Sequence, residues 1–290
     1  MVIALAALLL HMPSPMMTRL PEPPAPIVVE TSEMNEGRAR FDALMAFARD
    51  EQLATLPLGE IAVALGDRLK GTPYVAGMLD VQPEETLVAP LDRFDCVLFV
   101  ESVLSLSRGI AAGDESYEGY LKRIEAQRYR GGTLAGYGSR LHYFSDWIAD
   151  GAERGLVENV TASIGGEAYA KTLNFMSTHR SAYAQLRDDA RYAEILNAET
   201  RLASLPLRYL PKARVQASYA SIQAGDILAT TTNTQGLDVT HTGFAVVSPD
   251  GRVGFLHASP GRGVILAPDL MAYLDRHPHQ TGLVVARPLV

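Results

Sequence analysis

The fold is decided by the stretch LDRFDCVLFVESVLSLSRG, residues 91–109, which has few helix breakers and is apolar on nearly every side. A helix that is apolar all round belongs in the interior of a domain. Asp95 is suited to cap the start of this helix, and Gly109 is suited to end it. The stretch therefore predicts a central, buried helix on which the other elements pack.

Five short apolar runs follow residue 224, each bounded by turn-forming residues. They read DILAT (226–230), HTGFAVV (241–247), VGFLHAS (253–259), GVILAP (263–268) and GLVVARPL (282–289). Runs of this length predict an antiparallel sheet, interrupted by a short helix over 269–276. Because two helices, over 36–51 and 57–69, precede the central one, helices come first and strands last. That order predicts an α+β fold.

The composition is that of a globular protein. A length of 290 residues allows one large domain or two smaller ones. With 47% hydrophobic and 20% charged residues, the chain is not a disordered, collagenous or polytopic membrane protein. The formal net charge of -7 argues against a broad nucleic-acid-binding surface. We therefore expect no nucleic-acid partner, and we expect a monomer.

Residues 1–34 are predicted to be a signal-like segment and linker. Residues 2–10 read VIALAALLL, which fits the apolar core of a secretory signal but is shorter than the roughly 20 residues of a membrane span. A proline-rich stretch follows over 13–26. We expect export to the periplasm or another extracytoplasmic site, with residues 1–20 as a signal peptide or lipid-free anchor and no stable membrane span. The alternative is a disordered or mis-assigned start.

Residues 35–290 are interpreted as a single domain with a helical insertion over about 111–215. The insertion is rich in helices and loops, and we expect it to wall a cleft. Arg140 suits a substrate carboxylate, and Tyr143 and Trp147 suit a sugar face. The alternative for the two aromatic side chains is a place in the core.

The single cysteine, Cys96, excludes an intramolecular disulfide and a cysteine-rich metal site. It lies at the predicted amino-terminal turn of the central helix, where free backbone N–H groups stabilise an anion. The position predicts a lowered thiol pKa and hence a nucleophile at neutral pH, although the neighbouring Asp95 would oppose the thiolate. The alternative is a small buried hydrophobic side chain.

Two histidines, His241 and His257, lie on neighbouring predicted strands joined by the sequence SPDGR. Proline and aspartate in the second and third turn positions, followed by glycine, predict a three-residue hairpin loop with Ser248 opposite Arg252. Gly243 then lies opposite His257, so both imidazoles project from one face of the sheet. A two-residue loop would instead place them on opposite faces.

The sequence lacks the motifs of several other enzyme classes. A zinc hydrolase needs a third ligand beside the two histidines, and there is no H-E-x-x-H motif. A G-x-S-x-G nucleophile elbow, a Walker loop and a dinucleotide fingerprint are also absent. We expect no cofactor and no metal, although a carboxylate from elsewhere in the chain would complete a metal site.

Four motifs in combination resemble those of the NlpC-type cell-wall cysteine peptidases: GTPYVAGMLD (71–80), FDCVLFVES (94–102), HTGFAVV (241–247) and FLHAS (255–259). The closer resemblance is to the N-acetylmuramoyl-L-alanine amidase-like branch. That branch is also similar to RYRGG (128–132), SRLHYFSDWIAD (139–150) and FMSTHR (175–180). The resemblance covers about residue 35 to the end. It implies a papain-like core, with a central cysteine-bearing helix packed on an antiparallel sheet, plus the helical insertion.

The resemblance further implies a hydrolase that cleaves peptidoglycan amide bonds through a thiol acyl-enzyme. Cys96 would be the nucleophile, His241 its acid and base, and His257 the residue that orients His241. Val97 stands where many members have serine. The candidate substrate-binding residues are Tyr74, Asp95, Arg140, Tyr143, Trp147 and Ser259.

Three alternatives stay open at this point. The same residues suit an endopeptidase that cuts the stem peptide, for example at D-glutamate. A cysteine–histidine pair also performs acyl transfer or thioester hydrolysis. A catalytically silent cell-wall-binding module would keep the fold without the chemistry.

Overall fold

The computed structural model describes residues 31–290, with side chains from residue 36 onward. The predicted signal-like run at residues 2–10 and the proline-rich stretch after it lie outside the described residues. Two helices open the described chain: α1 (Thr31–Asp50) and α2 (Leu58–Arg68). Both bury an apolar face in the main core, as their sequence periodicity predicts.

The central helix α3 (Cys96–Ala112) is buried along residues 96–110, as predicted. Its end differs from the prediction, because Gly109 lies inside the helix and Gly113, at φ 70°, terminates it. A Cβ at Gly109 would lie 2.8 Å from the Asp114 carbonyl oxygen and 2.4 Å from the Arg123 guanidinium. This glycine therefore permits a close approach of the following chain instead of ending the helix.

The segment between α3 and the main sheet is richer in strands than predicted. It holds the helices α4 (Tyr117–Arg128), α5 (Phe144–Glu153), α6 (Phe175–Thr178), α7 (Asp189–Leu202) and α8 (Lys212–Val215). It also holds the strands β1 (Val157–Asn159), β2 (Glu167–Ala168) and β3 (Arg208–Pro211). No helix within residues 31–290 is long and apolar enough to cross a membrane.

The carboxy-terminal part forms the sheet that the sequence predicts. Its elements are β4 (Ile227–Thr232), β5 (Val239–Val247), β6 (Val253–Ser259), β7 (Gly263–Ala267), α9 (Leu270–Asp275) and β8 (Gln280–Pro288). The strand order is β2-β3-β8-β4-β5-β6-β7, with β1 also paired to β8. All pairs are antiparallel. The α+β prediction is confirmed.

The hairpin between β5 and β6 has the predicted register. Val247 pairs with Val253, and Phe244 pairs with Leu256. The Ser248 N–H donates to the carbonyl oxygen at the far side of the loop, 2.9 Å away. The glycine at position 251 has the expected positive φ of 79°. The observed register is therefore the one that the turn residues predict.

The two faces of the sheet are covered by different helices. Helix α3 packs on one face, where the Phe99 ring meets the Phe244 ring edge-on at 5.8 Å. Helix α9 packs on the other face, where Leu270 and Leu274 join Phe255 in a second core. Alternation along the strands places His241 and His257 on the α9 face.

A buried ion pair joins α3 to α4. Nη2 of Arg128 lies 2.7 Å from Oε2 of Glu101, and the two side chains are 1% and 0% exposed. Burial raises the pKa of Glu101, and the positive charge of Arg128 opposes that rise. Because neither charge is hydrated, each one is stabilised by the opposite charge of its partner.

Candidate active site

Cys96 is the first residue of α3 and is 1% exposed. The Asp95 side chain caps the helix: its Oδ1 accepts hydrogen bonds from the N–H groups of Val97 (3.0 Å) and Leu98 (2.8 Å). The backbone N–H of Thr242 on β5 is close enough to the Cys96 thiol to lower its pKa. The sulfur is thus held between the start of a helix and the residue next to His241.

The pKa of the Cys96 thiol is raised, which contradicts the predicted fall. Burial is the largest cause, and the negative charge of Asp95 adds to it. The N–H groups of Thr242 and of Cys96 itself act in the opposite direction, but they do not offset the lost hydration. In this structure the thiol is therefore neutral at neutral pH.

His241 and His257 form a direct hydrogen-bonded pair, with Nε2 of His241 2.6 Å from Nδ1 of His257. The two rings are nearly perpendicular, with centroids 4.7 Å apart. The pair forms beside Gly243, where a Cβ would lie 2.8 Å from the Cβ of His257. Within residues 31–290, no group of three or more His, Cys, Asp or Glu side chains is placed to hold a metal ion.

Both histidines are electrically neutral at neutral pH. Burial, followed by the charges of His257 and His277, holds the pKa of His241 well below its usual value. Burial, followed by the charges of His277 and Arg262, lowers the pKa of His257 to about 3. A neutral imidazole at His241 is able to accept a proton.

Tyr273 on α9 completes the site, and sequence reasoning missed it. Its ring lies 5.1 Å from that of His257 and 6.2 Å from that of His241. Burial raises the pKa of its hydroxyl, and the charge of Cys96 adds to that rise. Tyr273 thus adjoins the histidine pair, and its hydroxyl is close enough to Cys96 for the charge of that residue to act on its pKa. Only the packing of α9 onto the histidine face reveals it, and no local motif marks it.

The structure also brings Tyr74 to the cysteine. Tyr74 pairs with Phe94, directly before the helix cap, through an isolated parallel bridge. Burial raises the pKa of the Tyr74 hydroxyl, and the charges of Cys96 and Asp95 add to that rise. The hydroxyl therefore keeps its proton and is able to donate a hydrogen bond near the sulfur.

Asp95 and Arg140 are buried, and their side chains bind other groups of the protein. The Asp95 carboxylate is occupied as a helix cap. The Arg140 guanidinium is fully buried, donates to the Leu79 carbonyl oxygen at 2.9 Å, pairs with Asp80 and lies over the Tyr137 ring. The interpretation of these two side chains as substrate contacts is corrected, because both are committed to protein partners.

The aromatic candidates of the insertion are also core residues. The Tyr143 hydroxyl donates to Glu199 at 2.7 Å and accepts from the Met176 N–H at 3.0 Å. The Trp147 indole is buried and stacks on Phe144, with centroids 5.0 Å apart. The core alternative is therefore the correct one for both.

Two cavities flank the histidine pair. The His241 cavity, of about 420 Å³, is lined by Thr240, His241, Ser259, Pro260, Tyr273, Arg276, His277, Pro278, His279 and Gln280. The His257 cavity, of about 510 Å³, is lined by His257, Ser259, Arg262, Ile265, Leu266, Ala267, Pro268, Asp269, Ala272, Tyr273, Arg276 and His277. The candidate residue Ser259 lines both.

The model of the N-acetylmuramoyl-L-alanine amidase-like family matches residues 64–283. None of the curated proteins compared with the chain matches it significantly. Among solved structures, an N-acetylmuramoyl-L-alanine amidase from Bacteroides uniformis is 33% identical, with a TM-score of 0.75. The match covers 80% of this chain and 99% of that one.

Two further solved structures are similar. A Bacteroides fragilis protein with a provisional xylanase name is 37% identical, with a TM-score of 0.70, and the match covers 77% of this chain and 98% of that one. A Legionella pneumophila protein is 21% identical, with a TM-score of 0.65, over 89% of this chain and 96% of that one. The last similarity is one of fold alone.

Proposed function

The chain belongs to the N-acetylmuramoyl-L-alanine amidase-like family, and we propose that it is a cysteine-dependent amidase that cleaves the bond between N-acetylmuramic acid and L-alanine in peptidoglycan. The family match supports an amidase-like hydrolase of peptidoglycan. The thiol mechanism and the papain-like, NlpC-type core go beyond the family match and are part of our proposal.

The position of Cys96 carries the proposal. Its thiol lies at the start of a buried helix, where the backbone N–H of Thr242, the residue next to His241, acts on the thiol pKa. His241 in turn is hydrogen-bonded to His257. A nucleophile, a base and a group that orients the base are the parts of a catalytic triad.

The first half of the reaction forms a thioester. We propose that the proton of the Cys96 thiol passes to His241 as the sulfur attacks the carbonyl carbon of the lactyl group. Both groups are neutral at rest, and His241 is the sequence neighbour of Thr242, whose backbone N–H acts on the thiol. The carbon–nitrogen bond then breaks, and the His241 imidazolium gives the proton to the departing amino group of L-alanine. His257 accepts a hydrogen bond from Nε2 of the imidazolium and stabilises its charge.

The second half regenerates the enzyme. His241 takes a proton from water, and the resulting hydroxide attacks the thioester carbonyl. The carbon–sulfur bond breaks, the sulfur recovers the proton, and the lactyl carboxylic acid leaves. In both halves, the backbone N–H of Cys96 and the Tyr74 hydroxyl are the proposed donors to the oxyanion. One such donor is worth about 3–4 kcal/mol of transition-state stabilisation.

The same site is a poor fit to glycoside hydrolysis, which the provisional name of the Bacteroides fragilis protein suggests. Most glycosidases need two carboxyl groups on opposite sides of the scissile bond. Among residues 31–290, the two cavities are lined by one carboxylate, that of Asp269, and its Oδ1 already accepts from the Ala272 N–H at 2.7 Å. A thiol and two imidazoles favour acyl chemistry instead.

The placement of the enzyme follows from the proposed substrate. Peptidoglycan lies outside the cytoplasmic membrane, so we propose a periplasmic or otherwise extracytoplasmic location and a monomer that acts on wall or muropeptide. Support for export comes from the apolar run at residues 2–10. We also propose that residues 35–290 act as a single domain, with residues 111–215 as an insertion.

Mass spectrometry of purified muropeptides after incubation tests the proposal. The full-length protein should release free peptide and free glycan. Cys96→Ala and His241→Ala should each abolish turnover while leaving the thermal unfolding temperature near that of the parent protein. His179→Ala, which changes an exposed histidine of the insertion, is the matched control and should retain activity.

Each result that disagrees with the amidase proposal favours a different function or mechanism. Products cut within the peptide would favour the stem-peptide endopeptidase. An absence of products from folded protein would favour a silent wall-binding module. Hydrolysis that persists in Cys96→Ala would refute the thiol mechanism.

A further inference from the structure

The rim of the two cavities beside the histidine pair is basic, although the whole chain carries a net charge of -7. Arg276 and His277 line both cavities, and Arg262 lines the His257 cavity. All three side chains are exposed. The positive charge of Arg262 acts on the histidine pair, since it lowers the pKa of His257. The cleft is therefore attractive to anions.

The two arginines have no counter-ion within residues 31–290. Neither guanidinium makes a hydrogen bond or ion pair there. Some other arginines of the described chain are paired: Arg287 binds Asp226 at 2.9 Å, and Arg191 binds Glu84 at 2.8 Å. Two unpaired guanidinium groups that converge on one pair of cavities are thus left for a ligand.

A polar atom of the histidine pair is also unpartnered. His257 is 2% exposed, and its Nε2 makes no hydrogen bond in the described part of the chain. When Nδ1 of His257 accepts a hydrogen bond from Nε2 of His241, the single hydrogen of the neutral His257 ring must be on its Nε2. A buried donor without an acceptor is costly, so the His257 side of the site favours a ligand that supplies an oxygen.

We propose that Arg262 and Arg276, together with the Ser259 hydroxyl, form a subsite that binds a carboxylate of the stem peptide during hydrolysis. The inference rests on the proposed function, because it names the part of the peptidoglycan substrate that this cleft selects. Guanidinium groups suit the task, since they bind carboxylates through two parallel hydrogen bonds. The Asp269 carboxylate also lines the His257 cavity and repels an anion from its own part of that cavity.

The test compares two ligands of nearly the same shape, N-acetylmuramoyl-L-alanyl-D-glutamate and its diamide, in which both carboxylates are replaced by uncharged carboxamides. Hydrolysis is measured with the full-length protein, and binding is measured by calorimetry with the full-length Cys96→Ala protein. Arg262→Gln and Arg276→Gln are made in both backgrounds. Arg187→Gln, which changes an exposed arginine of the insertion, is the matched control.

We expect each variant to raise KM and Kd for the carboxylate ligand about three- to tenfold, with little change in kcat. The diamide should bind parent and variants equally weakly, and Arg187→Gln should behave like the parent. Equal binding of the two ligands by the Cys96→Ala protein would overturn the subsite. Discrimination in binding without any hydrolysis by the parent would uphold the subsite and refute the amidase proposal.

Discussion

Replacement of Gly243 by alanine tests whether the spacing of β5 and β6 controls the histidine pair. A Cβ at this position would lie 2.4 Å from the Leu256 carbonyl oxygen, 2.8 Å from the Cβ of His257 and 2.9 Å from the Phe255 ring. Two of the three neighbours are backbone or Cβ atoms, which no rotamer change moves aside. The strands must therefore separate by up to about 1 Å to reach ordinary contact.

The expected cost follows from that separation. Overpacking of this kind destabilises a fold by about 1–3 kcal/mol. The same movement would stretch the 2.6 Å hydrogen bond between His241 and His257 past normal length. A misplacement of about 1 Å at a catalytic group costs up to about 100-fold in rate. We expect Gly243→Ala to remain folded and to lose most of its kcat.

Gly251→Ala in the loop of the same hairpin is the matched control. This glycine has φ 79° and open space around it, so alanine there costs about 1–2 kcal/mol through backbone strain alone. Chemical denaturation would measure stability, and muropeptide hydrolysis would measure kcat. The reasoning is refuted if Gly243→Ala keeps full kcat, or if both variants lose activity in proportion to their lost stability.

Two further predictions concern buried charge. Iodoacetamide should alkylate Cys96 slowly at neutral pH and faster only above pH 9, because burial and Asp95 raise the thiol pKa. Asp95→Asn should move that profile to lower pH, because the negative charge of Asp95 raises the thiol pKa. A parent midpoint near pH 6 would contradict the neutral-thiol interpretation. Arg128→Met should lower the free energy of unfolding by about 3–5 kcal/mol, since it leaves Glu101 buried and unpaired. Glu101→Gln added to it should restore part of the loss in urea denaturation, and no restoration would argue against the pair.

The hairpin with its two histidines was predictable because a short turn has few conformations. The sequence SPDGR specifies the loop, the loop specifies the register, and the register places His241 and His257 on one face. The central helix was predictable for a similar reason, since an all-round apolar surface has only one place in a globular domain.

Other features depend on long-range packing that no local pattern reports. Strands β1, β2 and β3 have two to four residues each, too few to show alternation. Gly109 looks like a helix end but is a point of close approach. Arg140 looks like a cleft residue but is held by protein partners inside the fold. The helix start at Cys96 suggested a low thiol pKa, yet desolvation outweighs the backbone dipoles there.

The place of β8 in the sheet has a consequence for the order in which the molecule is assembled. β8 pairs with β4 on one side and with β1 and β3 on the other. Val157 on β1 therefore has no pairing partner until Pro288 on β8 has been synthesised. During synthesis the histidine hairpin emerges first, and the strand that joins the early and late parts of the chain emerges after it. Long-range pairing of this kind closes slowly. A nascent chain therefore contains the hairpin of His241 and His257 before it contains the strand that completes the sheet.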